Sequence, residues 1–207
     1  MIKQEKPFLA MDADFVLLDW CAGLKPFLAE KGIDNSHIDR YTGSTYYPTL
    51  EELFLDSDSD KCIELMKEFN DSKWIEHLPM LQATAKEHLT LLAQEVNIVV
   101  LTCLGLGADQ AAKRTNNLVE LYGDIFEEVI CIEVRGSKEE KLIELAKTKN
   151  VIGFVDDREK HLKEGVNAGV SPILFVRNAP MPDTQYHVID CLSQILDFVR
   201  NAQRKAA

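Results

Sequence analysis

The chain has 207 residues, 46% of them hydrophobic, and a formal net charge of −11. It is long enough for one full-sized domain with an insert, while its acidic charge disfavours binding to duplex nucleic acid, which needs a basic face. We expect neither a secretory signal nor a membrane span, and the five cysteines, an odd number without C-x-x-C spacing, favour free thiols in a reducing cytoplasm.

Short apolar runs alternate with helical patterns along most of the chain. The apolar runs predict strands at 8–12, 97–101, 128–133, 151–155 and 172–176. Helical spacing predicts helices at 18–31, 79–95, 106–122, 137–149, 159–168 and 190–203. Strands that alternate with helices of this length predict an α/β fold with a Rossmann-like parallel sheet flanked by helices.

Residues 34–78 depart from this alternation. They are rich in aromatic residues, carry an acidic run at 56–60, and contain only a weak strand pattern near 44–47. We interpret this segment as a small, mostly helical insert after the first strand. The α/β core would then comprise residues 1–33 and 79–207.

Polar groups of different chemistry follow four of the predicted strands. Asp12 and Asp14 follow the first, Thr102 the second, Lys138 the third, and the pair 156–157 the fourth. Each group alone has a simpler reading, as a solvated turn, a strand-terminal threonine or a surface lysine. Because ligands bind at the carboxyl ends of parallel strands, we expect the groups to converge in one crevice. Carboxylates, a hydroxyl and an ammonium together favour a divalent metal and a phosphate.

The order of these residues resembles the four motifs of the haloacid dehalogenase-like phosphohydrolases. That family has an Asp-x-Asp after the first strand, a Thr or Ser after the second core strand, a Lys at a helix start and a final acidic pair. Residues 12–14, Thr102, Lys138 and the pair 156–157 match these motifs, and Lys141 is the alternative lysine. The resemblance spans residues 8–170.

A narrower resemblance is to the 5′(3′)-deoxyribonucleotidase branch. Residues 12–20, which read DADFVLLDW and are followed by Gly23-Leu24, are similar to its first motif. Trp74 and Leu78-Pro79 are similar to the stretch before its second motif. Phe15 stands where the family usually has glycine, which puts the geometry of the adjoining flap in question.

The family resemblance implies roles for the matched side chains. Asp12 would attack phosphorus and form an aspartyl-phosphate, and Asp14 would act first as general acid and then as general base. Thr102 and Lys138 would hold the phosphoryl oxygens as their charge redistributes.

The resemblance also implies a Mg²⁺ site. Asp12 would supply a side-chain oxygen, Asp14 a backbone carbonyl and the acidic pair another carboxylate. We assign the direct contact to Asp157 and expect Asp156 to bind Lys138 or a water beside the metal.

The resemblance further implies that the insert at 34–78 is a small helical cap that covers the site and selects the substrate, and we expect a further substrate contact at the end of the second strand. The aromatic candidates to stack on a base or sugar are Tyr46, Tyr47, Phe54 and Trp74, although such aromatics also form the core of a cap. Cys103 is a further candidate for substrate binding. It does not fit a cysteine-phosphatase nucleophile, which would need arginine at position 109, where the chain has aspartate.

The sequence therefore predicts a Mg²⁺-dependent phosphomonoesterase that acts on a small phosphorylated metabolite, with a nucleoside monophosphate as the favoured substrate. A sugar phosphate or other metabolite phosphate is the alternative substrate class. A catalytically idle binding or scaffold protein is the alternative of another class. We expect a monomer or homodimer.

Overall fold

A computed structural model describes residues 5–41, 48–177 and 183–206. The strands are β1 Phe8–Met11, β2 Asn97–Thr102, β3 Phe126–Cys131, β4 Val151–Asp156, β5 Pro172–Phe175 and β6 His187–Ile189. Among the described residues they form one sheet in the order β3-β2-β1-β4-β5-β6, and every neighbouring pair is parallel. The predicted parallel α/β fold is confirmed.

Helices cover both faces of this sheet. They are α1 Trp20–Glu30, α2 Leu50–Phe54, α3 Ser59–Asp71, α4 Ala85–Glu95, α5 Ala108–Tyr122, α6 Glu139–Thr148, α7 Glu159–Asn167 and α8 Ser193–Ala206, with 3₁₀ helices at Ser36–Arg40 and Lys73–His77. Leu9 and Met11 of β1 belong to one apolar cluster, and Ala10 between them belongs to a second. Successive side chains of a strand point to opposite faces, so a core lies on each side of the sheet.

The strand register places polar residues predicted for the site together at the carboxyl ends of the central strands. Met11 pairs with Val100 of β2 and with Val155 of β4. The next residue, Asp12, donates its backbone N–H to Val155 O at 2.9 Å. The ends of β2 and β4 therefore flank Asp12.

The described parts of segment 34–78 are helical, as predicted. Their buried apolar side chains, among them Leu53, Phe54, Phe69 and Ile75, belong to the same apolar cluster as Leu9 of β1. The weak strand pattern at 44–47, together with Tyr46, lies outside the described residues. No helix in the described ranges is long and apolar enough to cross a membrane.

The predicted helix at 79–95 is wrong over its first six residues. The helix begins at Ala85, because the backbone of residues 79–81 bonds instead to the loop after β1. Asp19 N–H donates to Pro79 O, and Leu81 N–H donates to Leu17 O, both at 2.9 Å.

Two boundaries and one whole strand also differ from the sequence prediction by more than a small shift at a helix or strand end. β3 begins at Phe126 and includes two exposed glutamates, since it is an edge strand and only part of it needs an apolar pattern. β6 was not predicted, because three residues at the opposite edge give too short a pattern. The last helix begins at Ser193 instead of residue 190.

Candidate active site

The centre of the strand-end crevice is Lys138, whose side chain is fully buried. Its Nζ lies 2.9 Å from Asp12 Oδ1 and 2.7 Å from Asp156 Oδ2. Burial opposes a charged lysine, but the two carboxylates outweigh it and raise the pKa of Lys138. Lys141, by contrast, points to solvent and pairs with Glu144 at 2.6 Å. The structure therefore brings Lys138, and not Lys141, to the carboxylates.

Three buried carboxylates form a compact group at this point. Ligand oxygens of Asp12, Asp156 and Asp157 lie within 4.8 Å of one another. Burial raises the pKa of both Asp12 and Asp156, and the ammonium of Lys138 opposes that rise. Three ionised carboxylates beside one ammonium leave two negative charges, so the oxygen donors and the charge both fit a divalent cation such as Mg²⁺.

Thr102 lies at the end of β2, the strand next to β1. The residue is fully buried, and its Oγ1 has no hydrogen-bond partner among the described residues. A buried hydroxyl without a partner is unfavourable. The chemistry of the site therefore suits an oxygen-rich ligand, such as a phosphoryl group, that would complete this hydrogen bond.

Asp14 is paired with an arginine from a distant part of the chain. Arg114, on α5, lies with its Nη2 2.8 Å from Asp14 Oδ1 and 3.0 Å from Oδ2. The arginine side chain is fully buried, whereas that of Asp14 is 21% exposed. Burial raises the pKa of Asp14, and Arg114 opposes the rise.

A second layer of contacts holds the backbone of Lys138. Lys138 N–H donates to Glu164 Oε2 at 2.8 Å, and His161 Nδ1 lies 2.9 Å from the same oxygen. Although burial opposes it, these contacts lower the pKa of Glu164. Burial and the nearby Lys138 lower the pKa of His161. The Lys138 side chain does not cap helix α6. The carboxylate of Glu164 on α7 accepts the Lys138 N–H instead and so holds the first turn of α6.

The turn after β1 keeps a conformation that usually requires glycine. Phe15 has a φ of 62°, and Leu17 N–H and Leu18 N–H both donate to Ala13 O at 2.9 Å. The left-handed region costs a residue with a side chain about 1–2 kcal/mol. The Arg177 guanidinium carbon lies 4.4 Å from the centre of the Phe15 ring, a contact that stabilises the turn. Phe15 therefore holds a left-handed backbone conformation in this turn.

Two described candidates for substrate contact, Cys103 and Trp74, have their own contacts in different parts of the chain. Cys103 follows Thr102, and its thiol lies 3.8 Å from Gly136 O, two residues before Lys138. Burial raises the pKa of this thiol to about 12 despite the opposing charge of Lys138. Trp74 Nε1 donates to Glu30 Oε2 at 2.9 Å, and Lys73 Nζ lies 4.9 Å from the Trp74 ring centre. The Trp74 indole therefore has partners other than the crevice residues.

Sequence reasoning missed Arg114 and Glu164. A signal was present in each case, because a charged residue stands on the apolar face of its helix. Arg114 shares the buried face of α5 with Leu118, four residues on, and Glu164 lies three residues after buried His161 on α7. A charged residue is rarely buried without a partner, so this spacing could have indicated a site contact.

No protein-family model matches the sequence. The chain is 32% identical over 158 residues to an uncharacterised 32.4 kDa protein of Enterobacteria phage T4, which corresponds to 75% of this chain and 55% of that protein. The chain thus spans about half the length of this curated relative.

Solved structures give a broader match. A predicted phosphatase from Clostridium acetobutylicum aligns with a TM-score of 0.67 at 13% identity, over 95% of this chain and 99% of that one. A haloacid dehalogenase-like family hydrolase from Streptococcus pneumoniae aligns with a TM-score of 0.65 at 13% identity, over 93% and 98%. The chain has a haloacid dehalogenase-like fold.

A magnesium-bound example of this fold is also similar. A protein from Bacillus subtilis named as a HAD-hydrolase, whose structure is bound to magnesium, aligns with a TM-score of 0.60 at 13% identity, over 95% of this chain and 99% of that one. The bound magnesium is an observation on the Bacillus subtilis protein. In the present chain, the corresponding observation is the buried group of Asp12, Asp156 and Asp157.

Proposed function

We propose that this protein is a Mg²⁺-dependent phosphomonoesterase that works through an aspartyl-phosphate on Asp12. One observation carries the proposal: the buried ammonium of Lys138 bridges Asp12 and Asp156 beside a third carboxylate, Asp157. A buried network of this kind costs desolvation and is a poor way to gain stability. The unpartnered hydroxyl of Thr102 supports a phosphoryl ligand at the same point.

In the first half of the reaction, an oxygen of Asp12 attacks phosphorus while the bond from phosphorus to the ester oxygen breaks. The electron pair of the broken bond stays on the ester oxygen, which takes a proton from Asp14 and departs as an alcohol. Asp12 carries the phosphoryl group at the end of this step. Lys138 and Thr102 stabilise the charge that redistributes over the phosphoryl oxygens.

In the second half, Asp14 takes a proton from water as the water oxygen attacks phosphorus. The bond between phosphorus and Asp12 breaks, inorganic phosphate forms, and the Asp12 carboxylate is restored. The raised pKa of Asp14 suits a group that first gives and then takes a proton.

The carboxylates of Asp12 and Asp157 and the backbone carbonyl of Asp14 would hold Mg²⁺, while Asp156 orients Lys138. When bound, Mg²⁺ neutralises the phosphoryl charge and orients the group for attack. Between them, the chain's own residues provide the nucleophile, the proton and the anion contacts.

For the substrate, we propose a nucleoside monophosphate, with residues 34–78 as the cap that selects it. The similarity of residues 12–20 and Leu78-Pro79 to the nucleotidase pattern supports this choice. Trp74, half-buried on the 3₁₀ helix Lys73–His77, is a described aromatic candidate for contact with a base.

A phosphatase screen over nucleoside monophosphates and sugar phosphates, with and without Mg²⁺, tests the proposal. We expect hydrolysis that requires Mg²⁺, prefers nucleotides and is lost in Asp12→Asn. Asp19→Asn is the matched control, because Asp19 caps α1 through Ala22 N–H at 3.0 Å and asparagine retains that function. A preference for sugar phosphates would replace the substrate class, and an inactive wild type would favour the binding or scaffold alternative.

Thermal unfolding tests the metal site without substrate. A ligand that binds only the folded chain raises its melting temperature, so millimolar Mg²⁺ should stabilise the wild type. The increase should be smaller in Asp157→Asn. An equal increase in Asp157→Asn and in the wild type would contradict the site.

A further inference from the structure

Arg114 is a buried cation that the reaction described above does not use directly. It comes from the middle of α5, one hundred residues after Asp14, and contacts both carboxylate oxygens of Asp14. Its Nε and Nη1 are also buried and have no hydrogen-bond partner in the described part of the chain. Among the described residues, Asp14 is thus the hydrogen-bond partner of this guanidinium.

The geometry points to Arg114 as a positioning residue that aims the Asp14 carboxyl at the leaving-group oxygen. This inference rests on the proposed phosphomonoesterase activity. The Asp14 side chain is partly exposed, whereas the Arg114 side chain that contacts it is fully buried. The charge-assisted contact with the buried arginine restricts how the Asp14 carboxyl can turn, and proton transfer requires hydrogen-bond geometry between this carboxyl and the leaving-group oxygen.

The inference predicts an effect that depends on the leaving group. When the ester bond breaks, an alkoxide needs the proton of Asp14, whereas 4-nitrophenolate is a stable anion and departs without one. Loss of Asp14 orientation should therefore slow alkyl esters selectively. A general loss of structure would slow both kinds of ester alike.

The experiment compares benzyl phosphate with 4-nitrophenyl phosphate, which are similar in size but differ in leaving group. We measure kcat/KM in the presence of Mg²⁺, because this constant reports the steps up to departure of the alcohol. In Arg114→Met, kcat/KM for benzyl phosphate should fall about 100-fold and that for 4-nitrophenyl phosphate less than about 5-fold, given the usual contribution of acid catalysis. Arg114→Lys should recover part of the loss on benzyl phosphate, since it restores a positive charge but not the shape and reach of the guanidinium that brings Nη2 to both Asp14 oxygens.

Asn117→Ala is the matched structural control. Asn117 is buried on the same helix, and its Nδ2 donates to Leu78 O at 3.0 Å without contacting Asp14. This variant should slow the two esters by the same factor. If Arg114→Met does not fold, Arg114→Lys decides the question by its selectivity for the leaving group.

An equal fall for the two esters in the Arg114 variants would overturn the positioning role while leaving the proposed function intact. A wild type that hydrolyses neither ester, nor any substrate of the wider screen, would instead overturn the proposed function and the positioning role with it. The two failures are therefore distinguished by the activity of the wild type.

Discussion

The strand-end crevice and the helices of the insert use charged residues in opposite ways. In the crevice, Lys138 has no exposed side-chain surface and is shared by Asp12 and Asp156. In the insert, Lys61 pairs with Asp56 at the surface, with 60% of its side chain exposed. Exposed pairs contribute about 0–1 kcal/mol, whereas buried networks cost desolvation that their attraction must offset. The difference fits the proposed function, in which the crevice charges take part in the reaction, whereas the exposed pair of the insert contributes only to local order.

The aromatic side chains of the two regions differ in a related way. Phe69 of the insert packs edge-on against Trp20 of α1, with ring centres 4.9 Å apart, and lies 5.3 Å from Phe27. These rings fix the insert to the core. Any substrate selection by the insert must therefore come from residues that are only partly buried, such as Trp74.

The largest expected difference is between two lysines that lie three residues apart. Lys138→Ala should lower kcat about 100- to 1,000-fold, because a buried donor to the phosphoryl oxygens is lost. Lys141→Ala should change kcat less than about 2-fold, since an exposed pair such as Lys141–Glu144 contributes little. Steady-state kinetics under saturating Mg²⁺ checks both values.

Stability gives an independent measurement on the same two variants. Lys138→Ala leaves Asp12 and Asp156 buried without their cation, which should cost about 3–5 kcal/mol of unfolding free energy in the absence of metal. Mg²⁺ should restore part of this loss. In the kinetic comparison of the two variants, a larger fall in kcat for Lys141→Ala than for Lys138→Ala would assign the lysine motif to position 141.

Trp74→Ala tests whether the insert reads a base. We expect kcat/KM for a nucleoside monophosphate to fall about 5- to 100-fold, the range of a lost stacking contact, while a plain phosphate ester is largely spared. Glu30→Ala is the control, because it removes the indole hydrogen bond but keeps the ring. Equal slowing of both substrates in Trp74→Ala would assign the ring to packing.

Glu164→Ala should have an intermediate effect through Lys138. Loss of the acceptor for Lys138 N–H should lower kcat about 10-fold, as expected for one hydrogen bond to a charged group. Glu164→Gln keeps an oxygen at this position and should retain most of the activity. If both variants lost activity equally, the negative charge of Glu164 would matter more than its hydrogen bond.

The smallest expected effect is at Cys103. A thiol with a pKa of about 12 stays protonated at neutral pH and is a poor nucleophile. Cys103→Ala should therefore change kcat less than about 3-fold, with any effect confined to KM as a substrate contact would require. A loss of kcat comparable to that of Lys138→Ala would contradict this view.

The sequence predicted the sheet well because its central strands are buried on both faces and read as continuous apolar runs. The polar residues after those runs were correctly expected to lie on the same side of the sheet, since parallel strands align their carboxyl ends. The edge strand β6 and the start of α4 were missed. Strand β6 has only three residues, and Met80 bridges Leu18 in a contact between segments far apart in the chain.

The supporting residues were harder to predict for the same reason. Arg114 lies one hundred positions from Asp14, and Glu164 lies 26 positions from Lys138. No local pattern specifies which carboxylate an arginine on a helix will meet. The backbone at Phe15 was also hard to predict, because left-handed positions usually hold glycine, and here a ring contact with Arg177 helps phenylalanine to hold one.

The most direct test of the account is the covalent state of Asp12. In Asp14→Asn, Asp12 should still attack the phosphorus of the substrate, but the variant cannot activate water for the second step. Phosphoenzyme should therefore accumulate when this variant is incubated with Mg²⁺ and 4-nitrophenyl phosphate, whose leaving group needs no proton. Intact-protein and peptide mass spectrometry should then find one phosphoryl group on Asp12. A phosphoryl group on another residue, or full turnover by Asp12→Asn, would contradict the aspartyl-phosphate mechanism.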